Sequence, residues 1–199
     1  MILDQTGRLD QQFRFLNEAD KLKSVLRATT LCDGSRRENS GEHSWHLALY
    51  AMVLADQAAP GVSIDRVIRM LILHDLVEID VGDVPIHSGG GAAHGSAETA
   101  AAEARAADRI FGLLPADLRD GLRNLWDEFE AALTPDAVFA KSLDRVQPVI
   151  ANLASGGGTW VEYNVTAEQL EARVGVKIAR GAPKLWDWVQ SKTRSFFEA

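Results

Sequence analysis

The chain has 199 residues, and 21 Lys and Arg residues against 28 Asp and Glu residues give it a formal net charge of −7 at pH 7. This acidic balance argues against a nucleic-acid polymer or an anionic membrane as partner, because both bind positively charged surfaces. The single cysteine, Cys32, excludes an internal disulfide and a cysteine-based zinc cluster. With no apolar stretch long enough to span a membrane and no signal-peptide core, the sequence predicts a cytoplasmic protein.

The first half of the chain has the hydrophobic spacing of α-helices. Residues 9–27 predict an amphipathic helix, and residues 42–57 predict a second, mostly apolar helix. Residues 67–73 are apolar on nearly every side. This pattern predicts a central buried helix that continues into His74 and Asp75.

The second half of the chain contains clear helix-start signals, namely capping hydroxyls and prolines at first helical positions. Including one signal before the central helix, these residues are Ser63, Ser96, Pro115, Thr134, Thr166 and Pro183. The irregular, glycine-rich residues 82–95 are interpreted as a flap over a cleft or as a disordered loop. Residues 159–165 are the one segment with a strand-like pattern. We therefore predict an all-α fold that forms one domain over residues 1–199.

A group of ionisable residues follows the central apolar helix. On a helix, His74 and Glu78 would be four residues apart and Asp75 and Glu78 three, so their side chains would face one cleft. Asp83 follows after a glycine. Burying carboxylates and imidazole among apolar side chains is costly unless a cation or hydrogen bonds compensate. A divalent metal ion compensates for several negative charges at once, so the pattern favours a metal site.

Two further metal ligands would have to come from other helices, and the candidates are His43 and Asp144. The resulting set of two imidazoles and two carboxylates suits one Mn²⁺, Co²⁺, Fe²⁺ or Zn²⁺ ion. Two simpler interpretations remain open at this point. His74 and Asp75 would form a buried pair that only stabilises the core, and Asp144 would form an ordinary ion pair with Lys141.

Four segments together resemble the HD-domain phosphohydrolases, in particular the small group that contains 5′-deoxynucleotidases. The segments are RRENSGEHSWHLA (36–48), LILHDLVEIDVGDVP (71–85), LWDEFEA (125–131) and FAKSLDRVQP (139–148). The resemblance covers about residues 22–154 and implies a compact helical HD-domain bundle, with the helices of residues 165–199 packed on that core. It also implies a homodimer that hydrolyses a small phosphomonoester, most simply a nucleoside 5′-monophosphate.

Carried over by position, the resemblance implies a role for each candidate residue. The metal ligands would be His43, His74, Asp75 and Asp144. Glu78 and Asp83 would be the acid–base or substrate-orienting carboxylates, and Arg27 would contact the phosphate. The deoxynucleotidases have a tryptophan directly after this arginine, whereas this chain has Ala28. Two alternatives therefore remain. The protein would hydrolyse an alarmone or a cyclic nucleotide, or it would be a non-catalytic module that senses a metal or a nucleotide.

Overall fold

The computed structural model describes residues 5–88 and 96–198, which form eleven α-helices and one two-stranded sheet. The helices are α1 (Gln5–Ala19), α2 (Ser40–Val53), α3 (Ile64–Leu73), α4 (Glu78–Val81), α5 (Ala97–Phe111), α6 (Ala116–Ala131), α7 (Pro135–Ala154), α8 (Thr159–Glu162), α9 (Ala167–Leu170), α10 (Val176–Gly181) and α11 (Pro183–Phe197). The strands, β1 (Leu26–Thr30) and β2 (Arg37–Asn39), pair antiparallel. The prediction of an all-α protein is confirmed. Among these helices, none has the length and apolar composition that crossing a bilayer requires.

Most predicted helix starts are confirmed, and the hydrogen bonds at the caps explain them. Four predicted hydroxyls each accept a bond from the backbone N–H three residues on, and these are Ser63, Ser96, Thr134 and Thr166. Each bond satisfies one of the N–H groups that a helix leaves without a partner in its first turn. Pro135 and Pro183 occupy first helical positions, where proline's missing N–H costs nothing.

The prediction of one helix over residues 9–27 is wrong at its C-terminal end. Helix α1 ends at Ala19, a 3₁₀ turn covers Asp20–Ser24, and the chain then enters β1. Pairing with β2 satisfies the backbone of this segment across the sheet, a long-range contact that helical periodicity cannot reveal. The strand-like interpretation of residues 159–165 is also wrong, because Thr159–Glu162 is helical.

Helix α7 is the centre of the fold. It packs against α2, α3, α6 and α10, and Leu143 and Val146 on this helix are fully buried. On the facing surface of α3, Val67, Met70 and Leu71 are also completely buried. The predicted central position of this apolar segment is therefore confirmed. The packing brings the start of α2, the end of α3 and the middle of α7 to one place.

Replacement of Leu143 by Ala is expected to lower the free energy of unfolding by about 2–5 kcal/mol, because it leaves a cavity in a closely packed core. Leu133, which is 78% exposed, offers a matched control in Leu133→Ala, with an expected change below about 0.5 kcal/mol. Urea denaturation followed by circular dichroism measures both. Equal losses in the two variants would contradict the assignment of α7 to the core.

Candidate metal centre and cleft

The residues predicted as metal ligands come together at one buried point. His43 lies in the first turn of α2, which begins with a capping box between Asn39 and Glu42. His74 and Asp75 lie on a 3₁₀ turn directly after α3, and Asp144 lies in the middle of α7. All four residues are buried, with at most 8% of their surface exposed. Three separate elements therefore supply one cluster.

Both imidazoles direct Nε2 at the carboxylate of Asp144. Its Oδ1 lies 3.2 Å from Nε2 of His43 and 3.7 Å from Nε2 of His74. Oδ1 of Asp75 lies 2.9 Å from Nε2 of His74. One ligand atom each from His43, His74 and Asp75 lies within 4.8 Å of the others. The cluster can therefore offer nitrogen and oxygen atoms to a single ion.

The hydrogen bonding of His74 tests whether the cluster fits a cation. Its Nδ1 lies 2.8 Å from the carbonyl oxygen of Leu71 and therefore donates a proton to it. Its Nε2 is buried and makes no hydrogen bond within the described part of the chain, although the carboxylates of Asp75 and Asp144 face it. Burial lowers the pKa of His74, but Asp75 and Asp144 more than offset this effect and raise it to about 10. A site that favours positive charge here suits a divalent metal ion.

The local backbone differs from the prediction at this point. The sequence predicted that His74 and Asp75 continue the apolar helix, whereas α3 ends at Leu73 and His74–Val77 forms a 3₁₀ turn. Nε1 of Trp126 donates a hydrogen bond to the carbonyl oxygen of His74, at 3.1 Å. The long-range contact from α6 satisfies a carbonyl group within the tighter turn. Glu78 begins the next helix, α4, and still faces the same cleft as His74.

Arg27 belongs to β1 and lies beside the cluster. Its Nη1 donates a hydrogen bond to Oδ2 of Asp75 at 2.8 Å and lies 3.5 Å from Oε1 of Glu78 and 3.6 Å from Oδ1 of Asp83. Burial lowers the pKa of Arg27, and the surrounding carboxylates more than compensate and raise it. The guanidinium of Arg27 thus partly neutralises the negative charge of Asp75, Glu78 and Asp83.

The two carboxyl groups predicted to perform acid–base chemistry are largely buried. Burial, followed by the charge of Asp75, raises the pKa of Glu78 to about 9, and Ser40 donates a hydrogen bond to its Oε2. Burial also raises the pKa of Asp83, whose Oδ2 accepts a bond from the N–H of Ala28 at 3.3 Å. A cation in the neighbouring cluster would lower both pKa values.

A cleft with an internal volume of about 170 Å³ opens beside the cluster. Six residues of α7 line one side of it, namely Lys141, Asp144, Arg145, Pro148, Val149 and Asn152. Residues 82–87 of the predicted flap also line the cleft, whereas residues 89–95 of that segment lie outside the described residues. The volume is sufficient for water and a small substrate next to the cluster.

One simpler interpretation from the sequence is not supported. Lys141 pairs with Glu130 at 3.0 Å and its ammonium lies 3.9 Å from the ring centroid of Phe129, so Lys141 is not the partner of Asp144. Sequence reasoning did not identify Glu38 and Gln147, which are buried beside His43. Gln147 follows Asp144 by three residues on α7, so helical spacing could have placed it on the same face.

Comparison with known proteins shows to which family this chain belongs. A profile of the HD domain family matches residues 19–186. The chain belongs to the HD domain family. It is 31% identical over 151 residues to 5′-deoxynucleotidase HDDC2 of Mus musculus, an alignment that covers 75% of this chain and 72% of that protein. The resemblance stated from the sequence is therefore confirmed.

Solved structures agree with this fold. A crystal structure described as a predicted metal-dependent phosphohydrolase from Magnetospirillum magnetotacticum MS-1 matches with a TM-score of 0.88 and 42% identity, covering 96% of both chains. A protein from Pyrococcus horikoshii OT3, 21% identical with a TM-score of 0.62 and coverages of 92% and 98%, shares the fold. The mouse 5′-deoxynucleotidase and the Magnetospirillum metal-dependent phosphohydrolase confirm the prediction that this HD-domain protein is an enzyme.

Binding of a divalent ion to the cluster is expected to raise the melting temperature. At Mn²⁺ concentrations of about a hundred times Kd, the native state gains about 2.7 kcal/mol, or roughly 5–10 °C for a chain of this size. Asp144→Asn should abolish most of this shift, because the introduced amide is a weaker ligand. Differential scanning fluorimetry measures the shift, with the exposed Asp56→Asn as the control that retains it. Equal shifts in both variants would exclude Asp144 from the site.

Proposed function

We propose that this protein is a metal-dependent phosphomonoesterase that releases phosphate from nucleoside 5′-monophosphates. The observation that carries the proposal is the buried His/Asp cluster in the wall of a cleft that also contains Arg27, Glu78 and Asp83. The name of the mouse relative, a 5′-deoxynucleotidase, supports the substrate class.

In the proposed site, His43, His74, Asp75 and Asp144 hold one divalent ion, which is Mn²⁺, Co²⁺, Fe²⁺ or Zn²⁺. When bound, such an ion lowers the pKa of water and neutralises charge on phosphoryl oxygens. The protein's own contribution is the arrangement around this point. The ligands are buried on three packed elements, and Phe129 packs with its ring centroid 4.9 Å from that of His74. These contacts limit the movement of the cluster.

Arg27 is proposed to bind the phosphate. Among the described residues, its hydrogen bonding is limited to the contact between Nη1 and Asp75, so other N–H groups of the guanidinium can face a phosphoryl oxygen. Its position 3.5 Å from Glu78 places phosphate binding and acid–base chemistry side by side. A guanidinium is suited to this role because it donates two parallel hydrogen bonds to a phosphate.

Glu78 is proposed to exchange the proton that the reaction requires. With a pKa raised to about 9, its carboxyl group holds a proton at neutral pH, and the charge of a nearby cation brings the pKa closer to neutrality. The protonated group can then donate to the oxygen of the leaving alcohol. Asp83, held by the N–H of Ala28, is proposed to orient the sugar hydroxyls.

The far part of the cleft supports a nucleoside as the leaving group. Asn152 lies eight residues beyond Asp144 on α7, which is about 12 Å along a helix. Asn152 Nδ2 donates a hydrogen bond to Thr159, which brings Trp160 to this end of the cleft. The apolar side chains that line the cleft here suit the faces of a base, and they are Val149 of α7, Trp160 of α8, Leu170 of α9 and Val174 of the turn that follows. Beside Arg27, Ala28 carries only a methyl group, so we expect ribonucleotides as well as deoxyribonucleotides to be accepted.

Protein loaded with Mn²⁺ or Co²⁺ is expected to release inorganic phosphate from at least one nucleoside 5′-monophosphate, and more slowly from ribose 5-phosphate, which lacks the base. His74→Ala and Asp75→Ala should each abolish release, because each removes a proposed ligand. A malachite-green assay over a panel of ribo- and deoxyribonucleotides, with a cyclic nucleotide and a guanosine pyrophosphate included, measures this. Exclusive cleavage of a diester or a pyrophosphate would replace the proposed reaction, and full turnover by both variants would refute the site.

Glu78→Gln is expected to lower kcat by about 10²–10⁴-fold with a smaller change in KM, because the amide cannot transfer the proton. Mn²⁺ binding measured by calorimetry should remain. The exposed Glu168→Gln serves as the matched control with unchanged kcat. A Glu78→Gln enzyme with the wild-type kcat would show that Glu78 does not take part in the chemistry.

A further inference from the structure

The ring of His43 can serve a metal through Nε2 only if its proton is on Nδ1. In a neutral imidazole one nitrogen carries the proton and the other carries a lone pair, and the partner of the first nitrogen decides which. His43 is fully buried, so protein groups rather than water make this choice. Nδ1 lies 3.0 Å from Oε1 of Gln147, which accepts its proton, and Nε2 faces Oδ1 of Asp144 at 3.2 Å. Gln147 is therefore the group that keeps a proton on Nδ1 against the competing carboxylate.

The amide of Gln147 would give the opposite result if it were rotated by half a turn. Its NH₂ group would then donate to Nδ1 of His43, and the ring proton would move to Nε2. In the structure, Nε2 of Gln147 instead lies 3.1 Å from Oε2 of Glu38 and 3.5 Å from Nδ1 of His46. A carboxylate only accepts hydrogen bonds, so it requires the NH₂ group on its side and directs the amide oxygen to His43.

Glu38 is suited to this role because it is itself fixed. The residue is 2% exposed and belongs to β2, and its Oε1 lies 3.5 Å from Nε of Arg27 and 3.4 Å from Nδ1 of His43. The guanidinium provides the positive charge that a buried carboxylate needs. The contacts therefore form a continuous chain from Arg27 through Glu38 and Gln147 to His43.

We infer that Glu38 and Gln147 are positioning residues that hold His43 in the tautomer with the proton on Nδ1 and thereby increase metal affinity. Glu38 and Gln147 contact His43 at Nδ1, on the side of the ring opposite to the proposed metal position, so both act through His43. The inference rests on the metal site of the proposed function. Outer hydrogen-bond partners of this kind change metal affinity by about 10–100-fold in metalloproteins.

Two variants separate this role from a general contribution to stability. Gln147→Leu removes the acceptor 3.0 Å from Nδ1 and leaves the more distant Oε1 of Glu38, at 3.4 Å. Glu38→Gln introduces an amide that both donates and accepts, so the orientation of Gln147 loses its bias. Ser142→Ala is the control, because Ser142 is also buried on α7 but bonds to the carbonyl oxygens of Val138 and Lys177. We expect Mn²⁺ binding to weaken about 10–100-fold in Gln147→Leu, by less in Glu38→Gln, and not in Ser142→Ala.

The tautomer is measured on the metal-free protein by two-bond ¹H–¹⁵N correlation spectra of ¹⁵N-histidine-labelled samples. The wild type and Ser142→Ala should carry a proton on Nδ1 of His43, alone or together with a second proton on Nε2 that faces Asp144. Both test variants should gain the form in which only Nε2 is protonated. Unchanged Kd and tautomer in a folded variant would overturn the inference. If Gln147→Leu does not fold, Glu38→Gln decides. If the wild type binds no Mn²⁺, the proposed function fails, and the spectra still decide whether Gln147 and Glu38 set the tautomer.

Discussion

The structure depends on the electrostatic cost of burying several carboxylates at one point. Two like charges about 4 Å apart repel by about 4 kcal/mol at an effective dielectric constant of about 20. Asp75, Glu78, Asp83 and Asp144 are all largely buried around two imidazoles, with the guanidinium of Arg27 beside the first three and that of Arg145 3.6 Å from Asp144. A divalent ion at this point would offset the remaining negative charge. In the proposed function, this electrostatic cost serves metal binding rather than stability.

The scaffold maintains this arrangement because rigid elements supply every part of it. Helix α7 contributes Asp144 from within the core and continues along one side of the cleft. The 3₁₀ turn holds His74 through Trp126, and the sheet places Arg27 beside Asp75. In the proposed function, binding of the substrate phosphate and of the metal thus depends on a small set of neighbouring side chains. A change in any one element is expected to alter both.

Much of the centre could be predicted from the sequence, because helix periodicity and the spacing of rare buried ionisable residues are local signals. His74, Asp75, Glu78 and Asp144 were found in this way. The strand that carries Arg27 was predicted as helix, since a two-stranded sheet forms through pairing between distant segments. Glu38 and Gln147 were missed for a related reason. Helical spacing places Gln147 on the same face of α7 as Asp144, but its hydrogen bond to Glu38 joins residues 109 positions apart, and no local pattern encodes that contact.

The most direct test of the central claim is the location of the ion itself. Crystals grown with Mn²⁺ should give an anomalous difference peak next to Nε2 of both His43 and His74, with oxygen atoms of Asp75 and Asp144 about 2.0–2.3 Å from it. A crystal with Mn²⁺ present but no peak at this point, or with a peak that two or more of these side chains do not reach, would contradict the account.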